Sequence, residues 1–239
     1  YTLSADFLDI GKSTDYSARP IAYVPPFPFA GLANSIPVSI DDIWGEVENF
    51  PTDANGNQFD FCFFDEFIPE FQVGSNGLIS FNPVPTPFFD PVTGTFYQNS
   101  GYVASPGVDV IPTNSTNSLK DANVFTPFHD IDPEINDQTE IGWEIIGEFP
   151  NRVLAVSFNN VAMYSGPCNN LLASHMAVFY ETTNIIDIYV QNAPACTWNQ
   201  NSKIIGIQNN EGTSAFVPLD LVTGESRNNT GLWDTQNEA

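Results

Sequence analysis

Apolar side chains recur at every second residue along the regular segments of this 239-residue chain, and no segment sustains an apolar repeat at helical spacing. In the stretch 140–146, Ile141, Trp143 and Ile145 fall on one face of an extended chain. This alternation is the signature of a strand with one buried face. The 19 prolines and 16 glycines interrupt helices and favour turns. The pattern therefore predicts an all-β fold.

Turn signals join these predicted strands into hairpins. The sequence Gly-Ser-Asn-Gly at 74–77 separates two apolar runs, and an Asn-Gly pair is a strong hairpin signal because both residues tolerate positive φ. Further hairpins are predicted around 149–151 and 181–184, and 203–209 supplies another strand. About eight strands with short turns predict an antiparallel β-sandwich of jelly-roll or lectin-like form.

Two stretches look less regular than the rest. Residues 1–50, which contain Pro25-Pro26-Phe27-Pro28, are predicted to form an extended arm packed on the sandwich. Residues 82–121 are rich in Pro, Asn, Ser, Thr and Gly and are predicted to form a long loop insertion. Because no internal repeat and no linker divides the chain, we expect residues 1–239 to form a single β-sandwich domain.

The charge balance excludes several classes of partner. The chain has 29 acidic and 6 basic residues, for a net charge of -23, and the six cations are scattered. Nucleic-acid binding depends on clustered Lys and Arg that displace counterions, and binding to anionic membrane surfaces depends on them too. The apolar runs are strand-sized, far shorter than the ~20 residues that span a bilayer. We therefore predict a secreted or cell-surface protein with no nucleic-acid partner and no membrane insertion.

The three cysteines differ in their sequence surroundings. Cys62 lies inside the apolar run FDFCFF, where a small buried side chain is expected. Cys168 and Cys196 lie in turn-like sequence on either side of two predicted strands. Loop cysteines beside a hairpin can form a disulfide in an oxidising compartment. Cys168 and Cys196 are therefore candidate disulfide partners, with two separate thiols as the alternative.

A dense acidic stretch around Asp130 and Asp132 follows one predicted strand. Alternate carboxylates in a turn can present oxygens to one hard cation such as Ca²⁺. Asp41 and Asp42 could join them if the N-terminal arm packs nearby. Asp130, Asp132 and Asp42 are therefore the candidate metal ligands, and Ca²⁺ is the only cofactor expected. The alternative is an acidic turn whose Asp side chains cap backbone N–H groups, with Pro133 fixing the bend.

No coherent catalytic set emerges from the sequence. A glycosidase needs two carboxylates roughly 5–10 Å apart across a cleft, and no spacing pairs the candidates, which are Glu140, Glu144, Glu181 and Asp187. Glu140 and Glu144 are expected to face solvent. There is no Gly-x-Ser-x-Gly nucleophile motif, and only His129 and His175 could act as bases. We therefore predict that the chain is not an enzyme.

The aromatic residues offer a different kind of candidate site. Trp198 lies in the polar loop sequence CTWNQN, where an exposed indole could stack on a sugar or a protein partner. Trp143 is predicted to be a core residue because it alternates with two isoleucines. Trp198 is therefore the candidate ligand-binding residue.

Several sequence phrases, in a fixed order, resemble one family. They include DDIW (41–44), FDFCFF (59–64), VGSNGLISF (73–81), VFTPFHDIDPE (124–134) and KIIGIQNNEGT (203–213). The ordered set resembles the nidogen-like (NIDO-type) domain carried by large secreted surface proteins of Bacteroidota. Those proteins often bear a gliding-motility-associated or type IX secretion signal. The resemblance covers the chain from about residue 20 to its end.

The resemblance implies an extracellular β-sandwich module with an adhesive or scaffolding role and no known catalytic centre. It also implies that the chain is a piece of a larger protein. The leading hypothesis is a non-catalytic adhesion or structural module of a large bacterial surface protein. Its partners would be neighbouring domains, other surface proteins or glycans. The alternatives are a carbohydrate-binding lectin-like domain and, third, a glycoside hydrolase.

Overall fold

The strands of the computed structural model follow the alternation seen in the sequence. The structure describes residues 27–83, 88–90, 95–99, 110–114, 117–164, 166–196 and 203–219. In chain order the elements are β1 (Asn34–Ser35), β2 (Ile43–Asn49), β3 (Cys62–Phe63), β4 (Glu66–Phe67), β5 (Glu70–Gly74), β6 (Leu78–Ser80), β7 (Phe88–Asp90), β8 (Thr95–Asn99), α1 (Asn117–Asp121), β9 (Val124–Phe128), β10 (Ile131–Asp132), β11 (Glu140–Ile146), β12 (Val153–Met163), β13 (Leu172–Tyr180), β14 (Ile186–Asn192), β15 (Ile204–Gln208) and β16 (Ala215–Phe216).

Two antiparallel sheets pack against each other as a β-sandwich. The smaller sheet has the strand order β1-β11-β12-β13-β14, and β10 pairs with β12 beside this path. The larger sheet has the order β16-β15-β9-β6-β5-β2-β8-β7, and β3 and β4 form a separate hairpin. The predicted all-β sandwich is confirmed.

The main core lies between the two sheets. Leu154, Val156 and Phe158 alternate along β12 and belong to the same buried cluster as Phe71 of the larger sheet. The rings of Phe71 and Trp143 meet edge to face, with centroids 5.1 Å apart and planes at 88°. Such edge-to-face pairs add to the free energy of burial. Trp143 is partly buried and packs against the main core, on the face that its alternation in the sequence predicts.

The predicted hairpins form where turn residues interrupt the apolar alternation. The turn at 74–77 joins β5 to β6, and the turns around 149–151 and 181–184 join β11 to β12 and β13 to β14. Gly77 has a φ of 79°. A Cβ at that position would lie 2.0 Å from the carbonyl oxygen of Pro127. Only glycine fits there, because it tolerates both the left-handed backbone and the close approach.

Parts of the stretches predicted to be irregular belong to the larger sheet. β2 lies between β5 and β8, so Ile43–Asn49 belong to the sheet and not to the arm expected over 1–50, of which residues 1–26 lie outside the described residues. β2 pairs antiparallel with β5, with a register shift between Trp44 and Val47. The insertion expected over 82–121 contains β7, β8 and α1. Both differences arise because short strands are stabilised by distant partners.

Residues 27–36, which we call the N-terminal strap, begin on the outer face of the smaller sheet, pair with its edge strand β11 and end at Ile36, which is buried in the main core. On that face, side chains that point away from the main core form a second buried apolar cluster of Val153, Ala155, Met176, Val178 and Tyr189. Phe27 and Phe29 of the strap pack against it. The strap thus covers apolar surface that a two-layer sandwich would otherwise expose to water.

A buried ion pair ties one end of the sandwich together. Arg152 is 5% exposed and Glu181 2%. Arg152 Nε donates to Glu181 Oε2 at 2.9 Å, and its terminal nitrogen donates to the other carboxylate oxygen. Glu181 Oε1 also accepts the backbone N–H of Asp60 at 3.1 Å. The pair therefore joins two hairpin turns of the smaller sheet to the loop before β3.

Candidate functional site

An acidic corner lies where the chain passes from the larger sheet to the smaller one. β9 of the larger sheet ends at Phe128 and β10 of the smaller sheet begins at Ile131. His129 and Asp130 alone make this crossing. β10 then pairs with β12, which fixes the position of Asp132. A strand that changes sheets in two residues brings polar backbone and side chains to the edge of the core.

Asp41 and Asp42 reach the same corner from the segment before β2. The link is Asn76, a buried residue in the turn between β5 and β6. Its Nδ2 donates to Asp42 Oδ1 at 2.7 Å, and its Oδ1 accepts the backbone N–H of Ile131 at 3.1 Å. One asparagine therefore joins the two acidic segments. We call Asp41, Asp42, Asp130 and Asp132 the acidic corner.

Burial and neighbouring negative charges raise the pKa of two aspartates of the acidic corner. Burial, followed by the negative charges of Asp42, Asp132 and Asp130, raises the pKa of Asp41 to about 7. Burial also raises the pKa of Asp132, with a smaller contribution from Asp42. Interactions of this kind require carboxyl groups that lie near one another. The structure thus brings the three candidate metal ligands into one corner and adds Asp41 to them.

The same carboxylates also cap local backbone groups. Asp132 Oδ1 accepts the N–H of Glu134 at 2.9 Å, and Asp41 Oδ1 accepts the N–H of Asp42 at 2.8 Å. These bonds are those expected of an acidic turn. Within the described ranges, no group of three or more His, Cys, Asp or Glu side chains is arranged to hold a metal ion. Calcium binding by Asp130, Asp132 and Asp42 therefore stays a prediction.

Two histidines meet between the sheets. His129 is 1% exposed and His175 is fully buried, and their ring centroids are 5.5 Å apart. The hydroxyl of Thr126 donates to the carbonyl of Gly77 at 3.1 Å and lies 3.0 Å from His175 Nδ1. Burial lowers the pKa of both rings, to about 3 for His175. Both histidines are neutral at physiological pH, and His129 Nδ1, His129 Nε2 and His175 Nε2 are buried with no hydrogen-bond partner among the described residues.

The carboxylates considered for glycoside hydrolysis each make a structural contact. Glu140 and Glu144 accept backbone N–H groups of the N-terminal strap. Both glutamates therefore lie on the outer face of β11, where the strap half-covers them. Glu181 belongs to the buried ion pair. Asp187 accepts a hydrogen bond from the hydroxyl of Tyr189 at 3.2 Å.

The predicted pairing of Cys168 with Cys196 is confirmed. The two residues form a disulfide across a sequence separation of 28, with Cα atoms 6.0 Å apart. The bridge encloses the hairpin of β13 and β14, and both cysteines belong to the main core. Cys62 lies in β3 and is half-buried, less than its apolar surroundings in the sequence predict. Burial raises the pKa of its thiol.

Asn76 is the residue of this site that sequence reasoning missed. Its place before Gly77 signals a turn, and that signal says nothing about which distant groups its side chain bonds. Trp198, the candidate ligand-binding residue, lies outside the described residues.

Comparison with known proteins gives one match. A family model described as NIDO related matches residues 55–231. The matched part runs from before β3 to beyond β16 and includes the disulfide and two members of the acidic corner. Searches of curated proteins and of solved structures found no match. In the part of the chain that the structure describes, no helix has the length and apolar character needed to cross a membrane.

Proposed function

The chain belongs to the NIDO-related family, and we propose on that premise that it is a non-catalytic adhesion or structural module of a large bacterial surface protein. Family membership and the disulfide point to an extracellular or secreted protein. The motif resemblance supports a finer assignment, to a Bacteroidota surface protein exported by type IX secretion and associated with gliding motility. The partners would be neighbouring domains, other surface proteins or glycans.

The observation that carries this proposal is the structural use of the acid–base groups. An active site keeps a base or nucleophile with a suitable pKa within reach of a substrate. Here His129 and His175 are buried and neutral, and Glu181 is held in an ion pair. Glu140 and Glu144 hold the strap. Glu140, Glu144 and Glu181 therefore stabilise the fold, which is what an adhesive or structural module requires.

We propose further that the chain is one folding unit. β1, near the start of the described residues, pairs with β11, and β2 lies between β5 and β8. Asn76 and Ile131, from opposite sheets, share a hydrogen bond. Strand neighbours from distant parts of the sequence support one cooperative unit, because neither sheet is complete without the other half of the chain.

We propose that Ca²⁺ binds at the acidic corner through Asp130, Asp132 and Asp42. The two hydrogen bonds of Asn76 support this proposal, because they hold Asp42 beside the segment that carries Asp130 and Asp132. Carboxylate and amide oxygens are the ligands that Ca²⁺ prefers. A cation at this corner would relieve the repulsion and join the N-terminal segment to the crossing between the sheets.

Bead adhesion tests the proposed function. Beads coated with the chain are expected to bind one another or the surface of the cells that produce the protein, and beads coated with reduced, unfolded chain are the control. If the coated beads bind no more than the control beads and the chain turns over a polysaccharide, the proposed function is wrong and the chain is an enzyme. Glycan-array binding that Trp198→Ala abolishes would assign the lectin function instead.

A further inference from the structure

A polar pair lies inside the sandwich where the chain crosses from one sheet to the other. His175 has the same strand parity as Ala173, Ala177 and Phe179, which belong to the main core, so it points to the inner face of the smaller sheet. His129 is the first residue of the crossing after β9. Both side chains are shielded from solvent. Any group that bonds these rings must therefore be buried with them.

The two imidazoles leave three ring nitrogens unpaired among the described residues. These are His129 Nδ1, His129 Nε2 and His175 Nε2. Only His175 Nδ1 has a partner, which is the hydroxyl of Thr126 at 3.0 Å. A neutral imidazole has one N–H donor and one acceptor nitrogen, so His129 leaves one group of each kind. Unpaired buried polar groups are costly, and native structures contain few of them.

The two rings do not satisfy one another. Their centroids are 5.5 Å apart and their planes meet at 55°, and no hydrogen bond joins them. A bond between the rings would use one nitrogen of each and still leave the other nitrogen of His129 unpaired. Phe158, which stacks on His175 at 4.8 Å, offers no hydrogen-bonding atom. The unpaired nitrogens therefore point to a bound molecule.

The chemistry of His129 selects the class of that molecule. A metal cation binds lone pairs and would leave the N–H unpaired, whereas an anion only accepts and would leave the acceptor nitrogen unpaired. Burial, then the charges of His175 and Lys203, lowers the pKa of His129 well below its ordinary value, so the surroundings disfavour a further positive charge. Within the described ranges, no third His, Cys, Asp or Glu completes a metal site. A neutral molecule that both donates and accepts fits, and water is the smallest of these.

We propose that His129 and His175 form a buried water-binding site in which one ordered water bridges the two rings. A ring nitrogen lies about 1 Å from its ring centre and a hydrogen bond to water spans about 2.9 Å, so this water would lie about 4 Å from each centroid. Centroids 5.5 Å apart leave such a position available. Buried waters of this kind make about three hydrogen bonds to groups that otherwise lack partners.

The bridging water adds a polar link between the two sheets. It joins the crossing segment that follows β9 of the larger sheet to β13 of the smaller sheet. Because both histidines are buried, the water exchanges with solvent only when the fold opens locally. It is therefore a part of the folded structure and not a solvent molecule in passing.

A joint X-ray and neutron crystal structure of the full chain near neutral pH tests this site, because it locates both water and the hydrogens on the rings. The expected result is one ordered water within about 2.7–3.2 Å of a nitrogen of each ring. A direct bond between the rings, a metal ion between them, or rings with no ordered water between them would overturn the proposal.

Nuclear magnetic resonance measures the same water in solution. The chain has two histidines, so histidine-specific isotope labelling reports these two rings alone. The expected result is a cross-peak between water and the imidazole protons of His129, with the sign of a water that tumbles with the protein. Absence of this cross-peak in the unmodified chain would overturn the bridging water.

Thr126→Val is the matched control for that measurement. It removes the hydroxyl beside His175, which could pass exchange with solvent to the rings, and keeps the three unpaired nitrogens. A cross-peak of His129 that survives this change supports the bound water, and one that disappears from the folded variant overturns it. If the variant does not fold, the crystal structure of the unmodified chain decides the case.

Discussion

Replacing Glu181 by Gln removes one charge from the buried ion pair while keeping the shape of the side chain. Arg152 then stays 5% exposed without its counter-ion. Glu181 accepts hydrogen bonds from the backbone and the guanidinium of Arg152 and from the backbone of Asp60. A glutamine offers one oxygen in place of two, and its amide N–H groups face the Arg152 donors. The variant therefore leaves the charge of Arg152 buried without a counter-ion, and it places the amide N–H groups against the N–H groups of the guanidinium.

The expected cost comes from breaking a buried pair on one side only. Removing one partner of such a pair destabilises a protein by about 3–5 kcal/mol, most of it the penalty of the charge left behind. Arg152 lies beneath Phe149, which is 47% exposed, so water can reach the guanidinium after a small movement. We therefore expect the free energy of unfolding to fall by the lower end of this range, about 3 kcal/mol. For a chain of this size that loss corresponds to a fall in Tm of roughly 6–12 °C.

Urea unfolding followed by tryptophan fluorescence and far-UV circular dichroism measures the free energy of unfolding. Glu148→Gln is the matched control, because Glu148 is exposed in the neighbouring turn and its change should stay within about 0.5 kcal/mol. Arg152→Met with Glu181→Leu removes both charges and should recover most of the loss. A Glu181→Gln variant within about 1 kcal/mol of the unmodified chain would refute the reasoning.

Four further predictions follow from the same structure. Burial alone would raise the pKa of Glu181, but hydrogen bonds from Arg152 and Asp60 and the charge of Arg152 lower it. The contribution of ionised Glu181 to the free energy of unfolding is therefore complete above the unfolded pKa of about 4.3 and is lost as the pH falls below that value. In urea titrations, the unmodified chain should therefore lose more stability than Glu181→Gln between pH 6 and 3. Replacing Cys168 and Cys196 together by Ser opens a loop of 28 residues and should cost about 3–4 kcal/mol in urea unfolding; a change below about 1 kcal/mol would contradict this. Gly77→Ala places a Cβ 2.0 Å from a backbone oxygen at positive φ and should cost at least about 2 kcal/mol, whereas Gly166→Ala, with open space around it, should be nearly neutral. Chelation of Ca²⁺ should lower Tm, and Asp42→Asn with Asp132→Asn should abolish that response; an unchanged Tm on chelation of the unmodified chain would count against the metal.

The features that sequence predicted are those set by neighbouring residues. The alternation over 140–146 places Trp143 in the core because side chains of a strand point to opposite faces in turn. The Asn-Gly pair at 76–77 predicts the hairpin because it supplies the residue with positive φ. Cys168 and Cys196 could be paired because each flanks the same hairpin. For Trp143 and the hairpin a local rule predicts the structure without knowledge of the other sheet, and for the cysteines it makes the pairing a candidate.

The features that sequence did not predict depend on contacts between distant residues. Asn76 bonds a backbone group 55 positions away, and Glu140 holds a strap residue 109 positions away. No local pattern encodes either distance, so Glu140 looked like an exposed strand residue and Asn76 like a turn residue. β2 was assigned to an arm for the same reason, since its pairing with β5 is visible only in the assembled sheet.

The central proposal is that Glu140, Glu144 and Glu181 hold a scaffold together and perform no chemistry. Turnover of a panel of polysaccharides and esters at pH 7, measured with the unmodified chain, tests this claim most directly. The account predicts rates equal to those of a blank without protein. Turnover that one substitution abolishes, such as Glu140→Gln, Glu144→Gln or Glu181→Gln, in a variant that still folds would contradict it.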